Sequence, residues 1–590
     1  MRLSLLKGAH ADLSSAAWQE IAVKPSFALS GIMALDVQRP ICGGPKENKM
    51  LQKDPARLLC AHKYLIARFP ETAMIPKILS ALLLLFLASP SWAQSLDLLI
   101  RNGSVLDGSG SPAQQVDIGI RGNRIVLIGK NLRQKASRVI DAHGLIVAPG
   151  FIDPHTHTFD DLSNPATSRN DAYLMQGVTT VATGNDGSSP VKIGDALHKW
   201  TQQGIGTNAA LFIGQGTVRG AVMGMSDAKP TPAQMDSMKA LVDRGMKDGA
   251  IGMSTGLYYA PGSYSSTEEV IALAKVAAAD GGIYDTHMRD ESTYNIGLLA
   301  AVRETIRIGR EAHMPVMISH IKALGKDVWG QSPQVIALVD SARAEGVRVT
   351  ASQYPYDASG TSVEASLVPR WAEVGGSSAL LQRISDPAVR ARLMAEMQKN
   401  LDRRGGPDSL LMTASPDKEF VGKTLAKIAK ERGTSPIEAA LLIIQKGGAD
   451  VASFNMQQSD IKNFMRQDWV MTCSDGSTGH PRKYGTFPEK LRKYVFDEHV
   501  ITLPFAIRSS TSLPAETLGL KDRGLLKVGY FADVVVFDPK TIRAQSTYEQ
   551  PKLLATGVVY LLVNGELAID AGRLTNAHAG RPLSHGAWNG

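Results

Sequence analysis

Residues 149–157 read PGFIDPHTH, an apolar run closed by Asp153 and Pro154 and followed by two histidines one residue apart. Side chains of extended chain alternate between faces, so His155 and His157 point the same way. Two imidazoles on one face are a ready pair of metal donors. Residues that follow the C-terminal end of a strand are where a barrel enzyme builds its site, so this stretch sets the question for the rest of the chain.

Working outward, short fully apolar runs alternate with helical stretches such as AQMDSMKALVDRGMKDG and TEEVIALAKVAAADGG, the pattern of a parallel α/β sheet. Eight candidate strands end near Asp153, Thr183, Ile213, Met253, His287, His320, Ser352 and Ser474. Eight parallel strands at this length predict an α/β fold of the (β/α)8 TIM barrel type over residues 151–505. The seventh and eighth strands are far apart, so residues from about 355 to 466 form an insertion subdomain beside the strand ends. On either side of the barrel the pattern changes to β runs separated by Gly/Ser turns, LDLLIRNGSVLDGSG, VDIGIRGNRIVLIG and SRVIDAHGLIVAPG before it, and LKVGYFADVVVFDP and GVVYLLVNGELAIDAGRL after it. These read as antiparallel strands, with Asn564-Gly565 as a hairpin turn. They predict one small β-sandwich built from both ends, 95–150 and 506–575, with 576–590 as a tail.

The chain has 590 residues, 44% hydrophobic and 20% charged, with 3 Cys, which excludes disordered, collagen-like and disulfide-scaffold classes. Its net charge of +8 is concentrated at the front, where residues 1–73 hold 10 Lys/Arg against 6 Asp/Glu. The remainder carries too little positive charge, and no basic run interleaved with aromatics, so no nucleic-acid partner is expected. From Met74 the chain reads MIPKILSALLLLFLASPSWAQ: a Lys, an apolar run from Ile78 to Ala88, then a small-residue site before Gln94. That is a secretory signal over 74–93, and the run is too short to span a bilayer. The expected product is periplasmic or secreted, with no stable membrane span after cleavage, and residues 1–73 read as a spurious upstream extension. Only Cys473 then remains, so no intramolecular disulfide is expected.

The strand ends carry a coherent set of donors. Besides His155 and His157 after strand one, Asp186 follows strand two, His287 strand five, His320 strand six and Asp475 strand eight. Four imidazoles and two carboxylates from five strand ends predict a metal centre, and N and O donors of this kind suit zinc. His143 falls in a turn, His198 and His313 on helices, and His499, His578 and His585 in the final segments. His480 stays open between site and surface. GQGTVRG at 214–220 has the spacing G-x-G-x-x-x-G, which is not a dinucleotide fingerprint, and reads as a backbone turn under the site.

The motifs PGFIDPHTH, GVTTVATGN, GAIGMSTGLYY, THMRDE, ISHIKALG, SDG with HPRKYGTFP, and GLLKVGYFADVVVFDP together resemble the amidohydrolase superfamily. Within it they resemble the D-aminoacylase (N-acyl-D-amino-acid deacylase) family, over nearly all of residues 95–575. The resemblance implies that His287, His320 and a residue after strand two hold the tighter zinc, and that the centre binds one or two ions. The family presents a cysteine, GNCG, where this chain has Asn185-Asp186-Gly187; a carboxylate is also a competent ligand, so Asp186 is expected to replace the thiolate. Three further positions match the family's clamp for the substrate's free carboxylate: Tyr259, Lys322 and Arg482. The implied activity is hydrolysis of N-acyl-D-amino acids or of short peptides ending in a D-residue, with Asp475 moving the proton. Two alternatives stand beside it. One is a cyclic-amide amidohydrolase of the hydantoinase or dihydroorotase kind, against which the carboxylated lysine after strand four is missing and Ser254 stands in its place. The other is a catalytically silent periplasmic binding protein.

Overall fold

The computed structural model describes residues 95–477 and 479–585. The expected leader at 74–93 and the expected upstream extension at 1–73 lie outside the described residues. Among the described residues no helix is long and apolar enough to cross a membrane.

Two sheets face each other at one end of the fold. One orders Arg124–Gly129, Asp117–Arg121, Leu96–Arg101 and Ala136–Asp141; the other runs from Arg573–Leu574 through Glu566–Asp570, Val558–Val563, Val534–Phe537 and Ile146–Pro149 to Ser104–Val105 and Gln114–Gln115. Every second residue points inward, so Leu98, Ile100, Ile118, Ile120 and Ile140 of the first sheet bury against Val147, Val534, Val536 and Leu562 of the second. Both ends of the chain share a sheet because Val534–Phe537 pairs antiparallel with Ile146–Pro149. The turn at Asn564 (φ 50°) and Gly565 (φ 84°) has the two left-handed residues that a tight hairpin requires. Not all pairs are antiparallel as the sequence pattern suggests: Leu96–Arg101 runs parallel to Ala136–Asp141, and Ser104–Val105 parallel to Ile146–Pro149. The hairpin 117–129 occupies one flank of the first strand, so the next strand has to cross over and return along the other.

The chain passes from the sandwich into the barrel through Gly150, where a Cβ would collide with the Thr179 side chain. The barrel strands are β1 Phe151–Asp153, β2 Val178–Thr183, β3 Asn208–Leu211 continued as Ile213–Gly214, β4 Gly252–Gly256, β5 Ile283–His287, β6 Val316–Ile318, β7 Val349–Gln353 and β8 Val470–Thr472. Neighbours pair parallel from β1 round to β8. The ring closes where the Ser474 N–H donates to both Asp153 oxygens at 3.1 Å and Thr156 bridges Gly476. Such strands are buried on both faces, which is why they read as continuous apolar runs. Inside, Ile152, Ala182, Phe212, Ile251, Ile283, Met317 and Met471 form one cluster, which Leu583 joins because Pro582–Leu583 pairs beside β3.

The covering helices start where their caps dictate. Pro232–Lys247 begins at a capping box in which Thr231 and Gln234 exchange hydrogen bonds, worth about 1 kcal/mol. The GQGTVRG segment is a helix, Gln215–Met223, and not the turn expected from its glycines. Gly214 and Gly216 pack against the Gly187 backbone, so the helix can begin directly at the end of β3.

Between β7 and β8 the chain leaves the barrel. Ala358–Ser362, Asp450–Phe454 and Leu410–Ala414 form an antiparallel sheet in that order, backed by helices that include Pro387–Arg403 and Pro436–Gln445. This insertion has its own core, in which Leu367, Leu393, Met397, Leu401, Ile437 and Leu441 are buried.

Candidate metal centre

The residues after β1 are fixed before they meet any partner. Buried Asp153 holds the Ser474 N–H and the His155 N–H, so the start of the β1 loop and the start of the β8 loop move as one piece. The rings of His155 and His157, 5.4 Å apart between centroids, stand over the barrel mouth. Asp186 follows β2 in left-handed backbone (φ 55°), with Gly187 (φ 73°) beside it. A Cβ on Gly187 would lie 2.8 Å from the Gly256 nitrogen, so the loop needs glycine to lie against the end of β4. Ser254 pins it there by accepting from the Gly187 N–H at 3.1 Å and donating to the Gly184 carbonyl.

These elements bring the expected donors together. His155 Nε2 lies 3.5 Å from Asp186 Oδ1 and 3.6 Å from Asp475 Oδ1; His157 Nε2 lies 3.4 Å from Asp186 Oδ2 and 3.1 Å from Asp475 Oδ1. On the other side His320 Nε2 is 3.4 Å from Asp186 Oδ1 and 3.0 Å from His287 Nδ1. Two donor groups result, one of His155, His157, Asp186 and Asp475 and one of Asp186, His287 and His320, and they share Asp186. Burial opposes charge on Asp186, yet His155, His320 and His157 hold its carboxyl well below the usual range. Burial likewise opposes charge on Asp475, and Arg482 and His320 outweigh it. Both carboxylates are therefore anionic.

Whether a metal fits can be judged from unmet bonding. Both ring nitrogens of His155 and Oδ1 of Asp186 are buried without a hydrogen-bond partner among the described residues, a costly state that a cation held by Asp186 and by one His155 nitrogen would relieve. Imidazole and carboxylate donors in this number suit zinc. Nor does Asp186 act as a cap: among the described residues its side chain accepts no backbone N–H, although Asp before Gly and Ser often does so.

One residue escaped the reading of the sequence. Glu291, four residues beyond His287 in THMRDE, accepts from Lys322 Nζ at 2.7 Å and lies 3.1 Å from His320 Nδ1 and 3.6 Å from His287 Nε2. It faces the nitrogens of both histidines that point away from Asp186, the arrangement that fixes tautomer and ring orientation in metal sites. The only available signal was its spacing from His287.

The three clamp candidates line one cavity of about 590 Å3 above the donors, together with Tyr354 and His480. Arg482 Nη1 sits 2.9 Å from Asp475 Oδ2, its guanidinium stacks on Tyr354 at 4.7 Å, and among the described residues its Nε has no hydrogen-bond partner. Tyr259 packs its ring edge-on to His287 at 4.7 Å. Lys322 turns its ammonium to Glu291 and to His320 Nδ1, both at 2.7 Å, so its charge is already answered. His480, open between site and surface in the sequence, is buried at the cavity: its Nδ1 accepts the Arg482 N–H at 3.2 Å. Tyr354 stands two residues past Ser352, directly after the end of β7.

Comparison with known proteins returns the same group. Residues 138–569 match the amidohydrolase family. A D-aminoacylase of Alcaligenes xylosoxydans xylosoxydans is 35% identical over 528 residues, covering 85% of this chain and all of that protein. An N-acyl-D-glutamate deacylase of the same organism is 33% identical over 498 residues, covering 80% and 93%. Among solved structures, a D-aminoacylase described with a binuclear metal center superposes with a TM-score of 0.72 at 33% identity, over 83% of this chain and all of the other. The N-acyl-D-glutamate deacylase of Bordetella bronchiseptica, complexed with zinc and a phosphonate inhibitor, gives 0.72 at 31% over the same shares.

Proposed function

This chain belongs to the amidohydrolase family, and from that premise we propose that it is a zinc-dependent enzyme hydrolysing the amide bond of N-acyl-D-amino acids, releasing a carboxylate and the free D-amino acid. The observation that carries the reading is the pair of donor groups sharing Asp186, with an arginine beside them. The preference for D-residues rests on the relatives, a D-aminoacylase and an N-acyl-D-glutamate deacylase. Peptides ending in a D-residue present the same amide and the same carboxylate and fall within the proposal.

His155, His157, Asp186, His287 and His320 are the residues we assign to hold zinc, as one ion or two. Zinc bound there would supply Lewis acidity and would lower the pKa of water toward about 7. Asp475 accepts the proton of the attacking water on Oδ1, the oxygen that faces the two imidazoles after β1. An amine leaves poorly unless protonated, so the same carboxylate then delivers that proton to nitrogen. Arg482, with Tyr354 and Tyr259 beside it, orients the substrate's free carboxylate as a planar fork. An anion docked on Arg482 takes part of its charge away from Asp475, which strengthens the proton affinity of Asp475 when it must carry one. A cyclic-amide reading is disfavoured because Ser254, bonded to the Gly184–Gly187 loop, stands within β4 in place of a lysine.

The test is release of free amino acid from N-acetyl-D- and N-acetyl-L-amino acids by the zinc-loaded protein. Hydrolysis of the D-series, lost on chelation, is expected; turnover of dihydropyrimidines with none of either series would overturn the reading. The 74–93 segment supports export, and the intact mass of periplasmic protein beginning near Gln94 would bear this out.

A further inference from the structure

The loop between Val534–Phe537 and Val558–Val563 reaches well beyond the two sandwich strands it joins. Arg543 and Thr556 exchange backbone hydrogen bonds at 3.1 and 3.0 Å, so residues 543–556 form a finger closed at its base. The finger lies on the segment that carries Arg482. Ser546 Oγ donates to the Pro481 carbonyl at 3.0 Å, and a Cβ on Gly485 would lie 2.7 Å from the Ala544 Cβ and 2.8 Å from Ser546 Oγ, an approach that only glycine permits. Further along the finger, Tyr548 sets its ring edge-on to His480, 5.2 Å between centroids, and packs against Phe454 of the insertion at 4.8 Å. Tyr356 meets the same imidazole edge-on at 5.7 Å. The Tyr548 hydroxyl is buried without a hydrogen-bond partner among the described residues, so what the residue contributes is its ring.

His480 is 1% exposed and spends both nitrogens on backbone: Nδ1 accepts the Arg482 N–H and Nε2 donates to the Ala358 carbonyl, each at 3.2 Å. An acceptor on one nitrogen and a donor on the other require the neutral ring with its proton on Nε2. Burial and the neighbouring Arg482 guanidinium hold His480 well below the ordinary histidine range, which keeps that form. Arg482 opens the helix Arg482–Glu489, whose first N–H groups have no partner within the helix, and Pro481 before it has no side chain to cap them. His480 takes the cap's place and at the same time ties the helix start to the insertion strand Ala358–Ser362. That strand also bounds the guanidinium: a Cβ on Gly360 would lie 2.8 Å from Arg482 Nη2, while Nη1 sits on Asp475.

We propose that Tyr548 is a positioning residue for Arg482: its ring holds His480, and His480 holds the arginine where the substrate's α-carboxylate docks. The proposal rests on the deacylase reading of that site. Tyr548 does not line the cavity, so its effect passes through the imidazole. The β-sandwich thereby takes part in substrate recognition through a side chain that no substrate touches.

The test compares kcat/KM of the zinc-loaded protein on N-acetyl-D-methionine and on its α-carboxamide, N-acetyl-D-methioninamide. Damage to the fold, to zinc binding or to Asp475 lowers both alike, whereas a displaced arginine changes their ratio. Wild-type protein is expected to favour the carboxylate by about tenfold or more, the factor that a charge-assisted hydrogen bond supplies. In Tyr548→Ala that preference falls by about two- to tenfold, what one edge-on ring contact supplies, chiefly as a higher KM for the carboxylate. Tyr548→Phe, which restores the ring, restores the ratio. His480→Ala lowers the ratio at least as far, and adding Tyr548→Ala to it lowers the ratio no further, because the two residues act in series. An unchanged ratio in Tyr548→Ala, whether or not both activities fall, overturns the positioning role and leaves deacylation standing. Equal turnover of the two compounds by wild-type protein overturns the Arg482 clamp and this proposal with it, and no hydrolysis of either overturns the deacylase reading as well. Should Tyr548→Ala fail to fold, Tyr548→Leu, which keeps bulk without an aromatic edge, decides in its place.

Discussion

The barrel side of the cavity carries His155, His157, Asp186, His287, His320 and Asp475, each close to a strand end, whereas the opposite side carries Ser359, Thr361, Thr413, Val451 and Arg404, all from the insertion. On the barrel side, Asp186 (φ 55°), His320 (φ 36°) and Asp475 (φ 48°) hold left-handed backbone; none of the five insertion residues does. Such conformations cost about 1–3 kcal/mol each and persist only where neighbours over-determine them. The barrel supplies that restraint through Asp153, Ser254 and the Asn185–Asp285–Ser319 hydrogen bonds beneath the donors. The difference teaches a division of labour: the strand ends fix chemistry, and the insertion, with its separate core, sets the shape and charge that a substrate meets.

That division can be broken from either side. Asp186→Ala removes the donor common to both groups and is expected to abolish metal binding and activity together, read by zinc content and melting temperature. Full zinc occupancy with only a lowered melting point would show that Asp186 is structural. Asp475→Asn keeps shape but cannot shuttle a proton, so turnover should fall about a hundredfold or more while most zinc stays bound; loss of zinc in step with activity would make it chiefly a ligand. Glu291→Gln should weaken zinc affinity by about 10–100-fold, the usual effect of removing the partner that orients a ligating histidine. Competition with a chelator measures it, and unchanged affinity would confine Glu291 to pairing with Lys322. On the insertion side, Leu401→Ala empties part of a fully buried core and should cost about 2–5 kcal/mol of stability. With the protein still folded, it should raise KM a few-fold and leave zinc stoichiometry untouched. A zinc loss there would mean that the two walls are not independent.

Much of the barrel side is legible in the chain because its rules are local. His155 and His157 share a face through the two-residue period of extended chain, and THMRDE, ISHIKALG and MTCSDG each put a donor where an apolar run ends. Glu291 is less legible: its partners His320 and Lys322 lie about thirty residues on, and only packing of the β5 and β6 loops brings them together. Arg404 is not legible at all. In sequence it is one of several arginines ending an amphipathic helix, and its meeting with Tyr258 spans 146 positions. The parallel pairing in the sandwich was hidden for the same reason, since alternation marks which face a residue takes and not the direction of its neighbour.

What the sequence by itself determined is therefore the set of elements whose signals repeat within a few residues: eight strands, two flanking β segments, an insertion, and six donors at strand ends. Tertiary structure alone decided that Asp186 joins the two donor groups, that Lys322 pairs with Glu291, and that among the described residues Arg482 keeps an unmet N–H and Arg404 is buried without a counter-ion. Spacing fixes which way a side chain leaves the backbone, but whether its charge is answered depends on groups that only the folded chain brings within a few ångströms.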